Sequence, residues 1–263
     1  MKSYQSLADS YDALMADAEH RRRAAFLMRA FRKSKPAVHT VLDLACGTGT
    51  IACLLAQAGY QVTATDASEE MLTQAAQKAA ALSGQPPLFL CQSMPQLRLL
   101  EPVDAAISTL DSLNYLTRER DLRQTFARVY RWLRPGGRFY FDVNTPWKLQ
   151  RMDGQIYMDE TEESVCVWRT FFSEKTRVCT YQVDLFSQRP DGAWDRELEE
   201  HRERAWSREE LEQFLTEAGF RDITVSGDLT TCPPREDEDR WIITAVRPAE
   251  DAGKTAVRRT GKQ

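Results

Sequence analysis

Residues 41–50, Val-Leu-Asp-Leu-Ala-Cys-Gly-Thr-Gly-Thr, constrain the fold of this chain more than any other segment. The aliphatic residues at its start predict the end of a buried strand, and the apolar run that begins at Ile51 predicts a packed helix. Gly47 and Gly49 permit a sharp turn and a close approach of the backbone to a ligand. A strand, a glycine turn and a helix N-terminus together predict a nucleotide-type binding site.

The glycine spacing alone leaves two cofactor classes open. Residues 47–52 fit the G-x-G-x-x-G/A pattern of dinucleotide sites, and Asp66 stands at a suitable distance for a ribose-binding carboxylate. Asp43 favours a different cofactor, because a carboxylate beside the turn repels a pyrophosphate. The same carboxylate suits the sulfonium and ammonium groups of S-adenosylmethionine.

Two motifs resemble one family. Asp43-Leu-Ala-Cys-Gly47-Thr-Gly49 resembles the first motif, D/E-x-x-x-G-x-G, of the class I S-adenosylmethionine-dependent methyltransferases. The segment Leu133-Arg-Pro-Gly-Gly-Arg138 is also similar to that family. The resemblance extends from about Tyr4 to Arg247 and is specific for cofactor and fold rather than for substrate. It implies S-adenosyl-L-methionine as the cofactor and methyl transfer as the reaction.

Hydrophobic patterning predicts an α/β fold with a doubly wound, mostly parallel, Rossmann-like sheet of seven strands. Five strands alternate with helices, and a final pair resembles the hairpin-like strands of the family. The strands are predicted at about 38–44, 60–66, 86–91, 103–108, 138–142, 221–226 and 240–246. The helices are predicted at about 18–31, 51–58, 69–82, 117–133 and 208–218. Residues 134–137 predict a turn before the fifth strand.

A change of periodicity divides the chain. Between residues 155 and 206, apolar and polar residues alternate, as at Tyr181, Val183 and Leu185, which predicts an antiparallel insertion of three or four strands. We expect the following units: an N-terminal lid and helix (1–34), a cofactor-binding core (35–150), the insertion as a substrate cap (151–206), the C-terminal part of the core (207–247) and a disordered tail (248–263).

Composition argues against several functional classes. A net charge of −4 gives no overall attraction to nucleic acid. The chain has neither an apolar run of membrane-spanning length nor the apolar core of a signal peptide. Its six cysteines lack the CxxC spacing of zinc sites and of disulfide frameworks. We therefore expect a cytoplasmic protein without a metal or a membrane partner.

The resemblance assigns cofactor contacts to residues that follow the strands. Asp66 would accept the ribose hydroxyl protons, and Ala67 and Met71 would line the adenine. Many relatives carry an acidic residue at the position of Ser93, so we expect Ser93 and the backbone of Met94 to hold the adenine amino group more weakly. The other predicted cofactor-binding residues are Tyr4, Tyr11, Asp43, Ala45, Gly47, Gly49 and Leu110.

Tyr4 and Tyr11 belong to a Tyr-x-x-Leu-Ala-x-x-Tyr-Asp pattern at the N-terminus. This pattern is similar to the lid of small-molecule N-methyltransferases, in which aromatic rings cover the cofactor. A tyrosine face suits a sulfonium cation. Each ring alone could equally pin the N-terminus to the core.

The segment 108–115 closes the fourth strand, and in this family it lies over the methyl group. Asp111 and Tyr115 are the candidate catalytic residues, with Asp111 as a base, an ammonium ligand or only a turn residue. His201 is a second candidate base, or else a solvated strand residue. Methyl transfer from a sulfonium mainly requires alignment of the two groups, so a catalytic triad or a metal is not expected.

The segment is not the Asn/Asp-Pro-Pro-Tyr/Phe tetrapeptide of many nucleic-acid and protein-glutamine methyltransferases. We therefore expect transfer to a nitrogen or oxygen of a small metabolite. Two alternatives stay open: tRNA or rRNA methylation through the basic stretches 20–23 and 32–35, and a cofactor-binding protein without transfer activity. Nucleic acid is the less expected partner, and a homodimer stays open as the assembly.

Overall fold

The computed structural model of the chain describes residues 17–249. The predicted contacts of Tyr4 and Tyr11 and nearly all of the predicted tail lie outside the described residues. Within them the strands are β1 (Thr40–Leu44), β2 (Gln61–Asp66), β3 (Leu88–Cys91), β4 (Val103–Ser108), β5 (Leu133–Asn144), β6 (Ile156–Glu160), β7 (Ser164–Ser173), β8 (Val178–Gln188), β9 (Trp194–Arg204), β10 (Arg221–Gly227) and β11 (Arg240–Val246). The α-helices are α1 (Asp17–Lys33), α2 (Thr50–Gln57), α3 (Glu69–Ala80), α4 (Glu119–Trp132), α5 (Pro146–Arg151) and α6 (Arg208–Ala218).

Seven strands form one sheet in the order β10-β11-β5-β4-β1-β2-β3. The strands β1 to β5 run parallel, and β11 is antiparallel to β5. The chain order reverses at β1, which lies between β2 and β4. Ligands of such sheets bind beside this reversal, outside the carboxyl ends of the strands. The fold class predicted from the sequence is therefore confirmed, and it places a crevice after β1.

Both faces of the sheet are covered, so its central strands are apolar on both sides. In β1, Leu42 and Leu44 pack on the face that also carries α4 and α6. Val41 points to the other face, where it packs with residues of α1 and α2. This burial on both faces explains why β1 is almost continuously hydrophobic, with Asp43 as its one charged residue.

The predicted antiparallel insertion is a separate sheet of four strands in the order β6-β7-β8-β9. The alternation of apolar and polar residues in β8 predicts one buried face, and Tyr181, Val183 and Leu185 do lie together on that face. Leu149 of the short helix α5 packs on the same face. The sheet thus has its own small core beside the carboxyl edge of the main sheet.

Two predicted helix starts are confirmed by their caps. The Ser68 hydroxyl accepts a hydrogen bond from the Met71 amide at the start of α3. Ser207 and Glu210 form a reciprocal capping box at the start of α6. In both cases local sequence alone fixes the helix start.

The turn predicted at 134–137 is present, with a φ angle of 82° at Gly136, but it lies inside β5 rather than before it. These residues form a bulge inside β5, since β4 pairs Val103 with Leu133 and then Ala105 with Arg138. A Cβ at Gly137 would lie only 2.7 Å from the carbonyl oxygen of Arg134, so the bulge requires glycine there.

Helix α5 was not predicted, because six residues are too few to show helical periodicity. Across residues 17–249, no helix is both long and apolar enough to cross a membrane.

Candidate functional site

A cleft of about 400 Å³ opens at the carboxyl edge of the parallel strands. This volume lies within the range of small-molecule sites. The loops after β1, β2, β3 and β4 each contribute to its walls. Ten of the predicted site residues line it: Asp43, Ala45, Gly47, Asp66, Ala67, Met71, Ser93, Met94, Leu110 and Tyr115.

The loop after β1 turns through left-handed backbone at Ala45, Gly47 and Gly49, with φ angles of 60°, 54° and 71°. Apart from its chain neighbours, no atom of residues 17–249 lies within 4 Å of the position that a Cβ of Gly47 would take, so among these residues the backbone is open to a ligand. Gly49 has a different role and does not line the cleft. A Cβ there would lie 2.8 Å from the Cβ of Ala75 and 3.1 Å from the ring of Phe89.

Asp43 is the most unusual group in the cleft. Its side chain is 1% exposed, and its Oδ2 atom accepts no hydrogen bond within the described residues. Burial, and then the nearby Asp66, raise the pKa of Asp43 to about 7. Buried carboxylates are normally paired or hydrogen-bonded, so this oxygen marks the position of a missing donor or cation.

Asp66 is held rigidly at the end of β2. Its Oδ2 accepts a hydrogen bond from the Gly47 amide at 2.9 Å, and its Oδ1 accepts one from the Ser68 amide at 2.9 Å. Burial raises the pKa of Asp66, and these amide hydrogen bonds oppose the rise. Each carboxylate oxygen retains a lone pair that can accept a hydroxyl proton of a ligand.

Several lining residues were missed by the sequence analysis. Most of them flank a predicted residue, so a wider window around each motif would have found them. His20 is different, since it comes from α1 and reaches the cleft only through the tertiary fold. The missed residues are His20, Cys46, Thr48, Thr50, Ile51, Ser68, Glu70, Gln92, Pro95, Thr109, Ser112 and Leu116.

The two candidate catalytic residues lie in different places. Tyr115 ends a short 3-10 turn (Ser112–Tyr115) and lines the cleft. Asp111 precedes this turn and does not line the cleft, because its Oδ1 lies 2.6 Å from Nη2 of Arg240. The solvated position considered for His201 is wrong, since that side chain is 1% exposed. Its ring packs edge-on against Tyr115, with 6.1 Å between the centroids.

Comparisons with known proteins agree with this geometry. A family model described as a methyltransferase domain matches residues 41–137. YqeM of Bacillus subtilis (strain 168), which is named as a methyltransferase, is 34% identical over 246 residues, or 93% of this chain and 97% of that protein. A solved S-adenosylmethionine-dependent methyltransferase from Clostridium acetobutylicum has a TM-score of 0.83 and 26% identity, over 94% of this chain and all of that one. The chain is an S-adenosylmethionine-dependent methyltransferase.

The fold of the methyltransferase is shared with a structure that holds the cofactor. CalS10 of Micromonospora echinaspora, an amino pentose methyltransferase solved with S-adenosylmethionine bound, has a TM-score of 0.71 at 18% identity, over 94% of this chain and 97% of that one. The cofactor of the methyltransferase is S-adenosyl-L-methionine. The cleft fits it, since Asp43 offers to a cationic group a carboxylate oxygen that accepts no hydrogen bond from the part of the chain described here, and Asp66 offers acceptors to a ribose.

Proposed function

We propose that this methyltransferase transfers the methyl group to a nitrogen or oxygen of a small metabolite. The observation that carries the proposal is the contact between the insertion and the end of the cleft. Asn114, in the turn that contains Tyr115, donates a side-chain hydrogen bond to the carbonyl of Arg204 in β9 at 3.0 Å. His201 of β9 packs on Tyr115 itself. The insertion therefore covers the loop after β4, and this cover supports a small-molecule acceptor.

The charges beside this contact favour an amine acceptor. Glu199, His201 and Glu203 alternate along β9 and share its inner face, where Glu203 is 3% exposed. Burial, and then Asp111, raise the pKa of Glu203. A cationic amine beside Glu203 would favour the ionised form of this carboxyl and would be held by it, whereas a neutral hydroxyl would not. The sugar N-methyltransferase KedS8 shares this fold, with a TM-score of 0.72 at 21% identity, and its name also supports a nitrogen acceptor.

The residues of the cleft also support methyl transfer. When bound, S-adenosylmethionine would supply an electrophilic methyl group to the neutral, deprotonated form of the acceptor. Asp43 would hold the ammonium group of the cofactor, and Asp66 would hold its ribose. Leu110 and Tyr115 would close the cleft beside the methyl group and exclude water, so that catalysis depends mainly on alignment.

The RNA alternative loses support from the first basic stretch. Arg23 is 3% exposed and is paired with Asp142 and Asp228, at 3.1 Å and 3.0 Å. His20 lines the cleft. Two of the four residues in 20–23 therefore face the protein interior, and this stretch does not form a continuous basic surface for phosphates.

The proposal is tested by incubating the protein and methyl-labelled S-adenosylmethionine with a fractionated metabolite pool and with bulk RNA. We expect label in a small-molecule fraction, and no label when Asp66 is replaced by Ala. Label in RNA alone would contradict the proposal. Cofactor binding without label in either pool would favour a binding protein that lacks transfer activity.

A further inference from the structure

We propose that Asp142, at the carboxyl end of β5, is a positioning residue that shapes the methyl-donor end of the cleft. Its carboxylate holds the backbone of Leu110 and Asp111, the two residues that begin the loop after β4. The inference rests on the assignment of the cleft to S-adenosylmethionine, and it does not depend on the identity of the acceptor.

The contacts are direct and use both carboxylate oxygens. Oδ2 of Asp142 accepts a hydrogen bond from the Leu110 amide at 3.0 Å, and Oδ1 accepts one from the Asp111 amide at 2.8 Å. The side chain of Asp142 is 3% exposed, so water does not compete for these amides. Hydrogen bonds from amides to a buried anion are among the stronger ones in proteins.

The loop needs such an anchor because its backbone is strained. Leu110 and Asp111 are consecutive non-glycine residues in the left-handed region, with φ angles of 57° and 55°. Residues with a Cβ avoid this region, and they persist there only when the surroundings fix them. Asp142 fixes both amides at once, which directs Leu110 into the cleft and leaves Asp111 outside it.

Two arginines hold the carboxylate itself. Nη1 of Arg23 lies 3.1 Å from Oδ2 of Asp142, and Nη1 of Arg240 pairs with Oδ1. These cations lower the pKa of Asp142 although its burial opposes this. Arg23 lies in α1, the helix that also brings His20 to the cleft. One carboxylate therefore ties α1, β11 and the loop after β4 together.

The position of this loop predicts which half of the cofactor should be bound more weakly when the Asp142 anchor is lost. In the sheet, β4 adjoins β1 on the side opposite β2 and β3. The residues assigned to the adenine, such as Met71 and Ser93, follow β2 and β3, at the far end of the cleft from Leu110. Loss of the Asp142 anchor should therefore weaken contacts to the amino-acid half of the cofactor more than contacts to its adenosine half.

The matched control is Asp104, at the opposite end of β4. Its Oδ2 also accepts hydrogen bonds from two successive amides, those of His39 and Thr40, at 2.9 Å and 2.8 Å. It is 8% exposed and is paired with Arg134. Asp104→Asn thus removes a similar anchor from the same sheet, but away from the cleft.

The experiment is calorimetric titration of wild type, Asp142→Asn and Asp104→Asn with two ligands. S-adenosylhomocysteine contains both halves of the cofactor, whereas 5′-methylthioadenosine lacks the amino-acid half. We expect Asp142→Asn to weaken the binding of S-adenosylhomocysteine by about tenfold or more, while 5′-methylthioadenosine binds nearly as tightly as to wild type. Asp104→Asn should leave both affinities unchanged, although its melting temperature falls.

Equal weakening of both ligands by Asp142→Asn, or the same selective loss in Asp104→Asn, would overturn the inference. If Asp142→Asn does not fold, Asp142→Glu keeps the charge for both arginines and only displaces the oxygens. A selective loss of S-adenosylhomocysteine binding in that variant supports the inference, and unchanged binding refutes it. Failure of wild type to bind S-adenosylhomocysteine would instead refute the assignment of the cleft.

Discussion

Replacement of Asp43 by Asn should remove most of the pH dependence of S-adenosylmethionine binding. In the folded protein the pKa of Asp43 is raised to about 7, first by burial and then by Asp66. Only the ionised carboxylate can pair with the ammonium group of the cofactor. Binding of the cofactor should therefore weaken as the pH falls through 7 and Asp43 takes up a proton.

The expected size follows from the position of this pKa. Each pH unit below it costs about tenfold in affinity, or about 1.4 kcal/mol, so the dissociation constant near pH 5 should be about 100-fold above its value at pH 8. Asp43→Asn has no such group to titrate. It should bind weakly and with a nearly constant dissociation constant across this range.

Calorimetric titration of wild type and Asp43→Asn, at several pH values from about 5 to 8, measures the effect. 5′-Methylthioadenosine serves as the control ligand, because it lacks all the charged groups of the cofactor but keeps the ribose assigned to Asp66. Its affinity corrects for any titration of Asp66. A wild-type dissociation constant for S-adenosylmethionine that is flat with pH, or equally steep in Asp43→Asn, would refute the assignment of Asp43 as the cation ligand.

The same substitution should stabilise the free protein at pH 8, since the ionised Asp43 is buried and its Oδ2 has no hydrogen-bond partner among residues 17–249. A carboxyl whose pKa is higher in the folded than in the unfolded protein makes the protein less stable as the pH rises from the unfolded pKa to the folded one. For Asp43 this window runs from 3.8 to about 7, and the loss of stability reaches about 4 kcal/mol. Urea unfolding at pH 8 checks this, and a less stable Asp43→Asn would contradict it. Gly49→Ala should lower the free energy of unfolding by about 2–4 kcal/mol, because its Cβ overlaps Ala75, whereas Gly59→Ala has open space and should cost about 1 kcal/mol. Equal losses in the two alanine variants would show that the overlap at Gly49 relaxes. The pKa of Glu203 is raised from 4.5 to about 8, so wild-type stability should fall as the pH rises through this window. Glu203→Gln should flatten that decline in urea unfolding, and an unchanged slope would exclude Glu203 as its source.

Local chemistry made most of the fold predictable. The apolar run of β4 and the alternation in β8 each identify a strand, because burial on two faces or on one leaves a distinct pattern. Ser68 and Ser207 predict helix starts, because each forms a cap with residues that are close to it in sequence. The cofactor loops were found for the same reason, since each directly follows a strand.

The remaining features depend on contacts between distant parts of the chain. Arg23 and Asp142 are 119 residues apart in sequence, and their pairing exists only once α1 packs on the sheet. Asp111 lies on the motif expected to bear the chemistry, but its left-handed backbone turns it toward Arg240. Gly49 fits a ligand-binding pattern, although it contacts α3 and β3 instead. Sequence spacing identifies which residues belong to site motifs, but it does not identify what each residue contacts in the folded protein.

Binding of the cofactor between Asp43 and Asp66 is tested by one thermal-unfolding measurement, the rise in melting temperature on addition of S-adenosylmethionine to wild type and to Asp66→Ala. At a ligand concentration of about 100 times the dissociation constant, binding should stabilise wild type by about 2.7 kcal/mol. Each protein is compared with its own ligand-free melting temperature, because Asp66→Ala also loses the hydrogen bonds from Gly47 and Ser68. We expect a clear rise for wild type and none for Asp66→Ala. An equal rise in both proteins would show that the cofactor binds elsewhere.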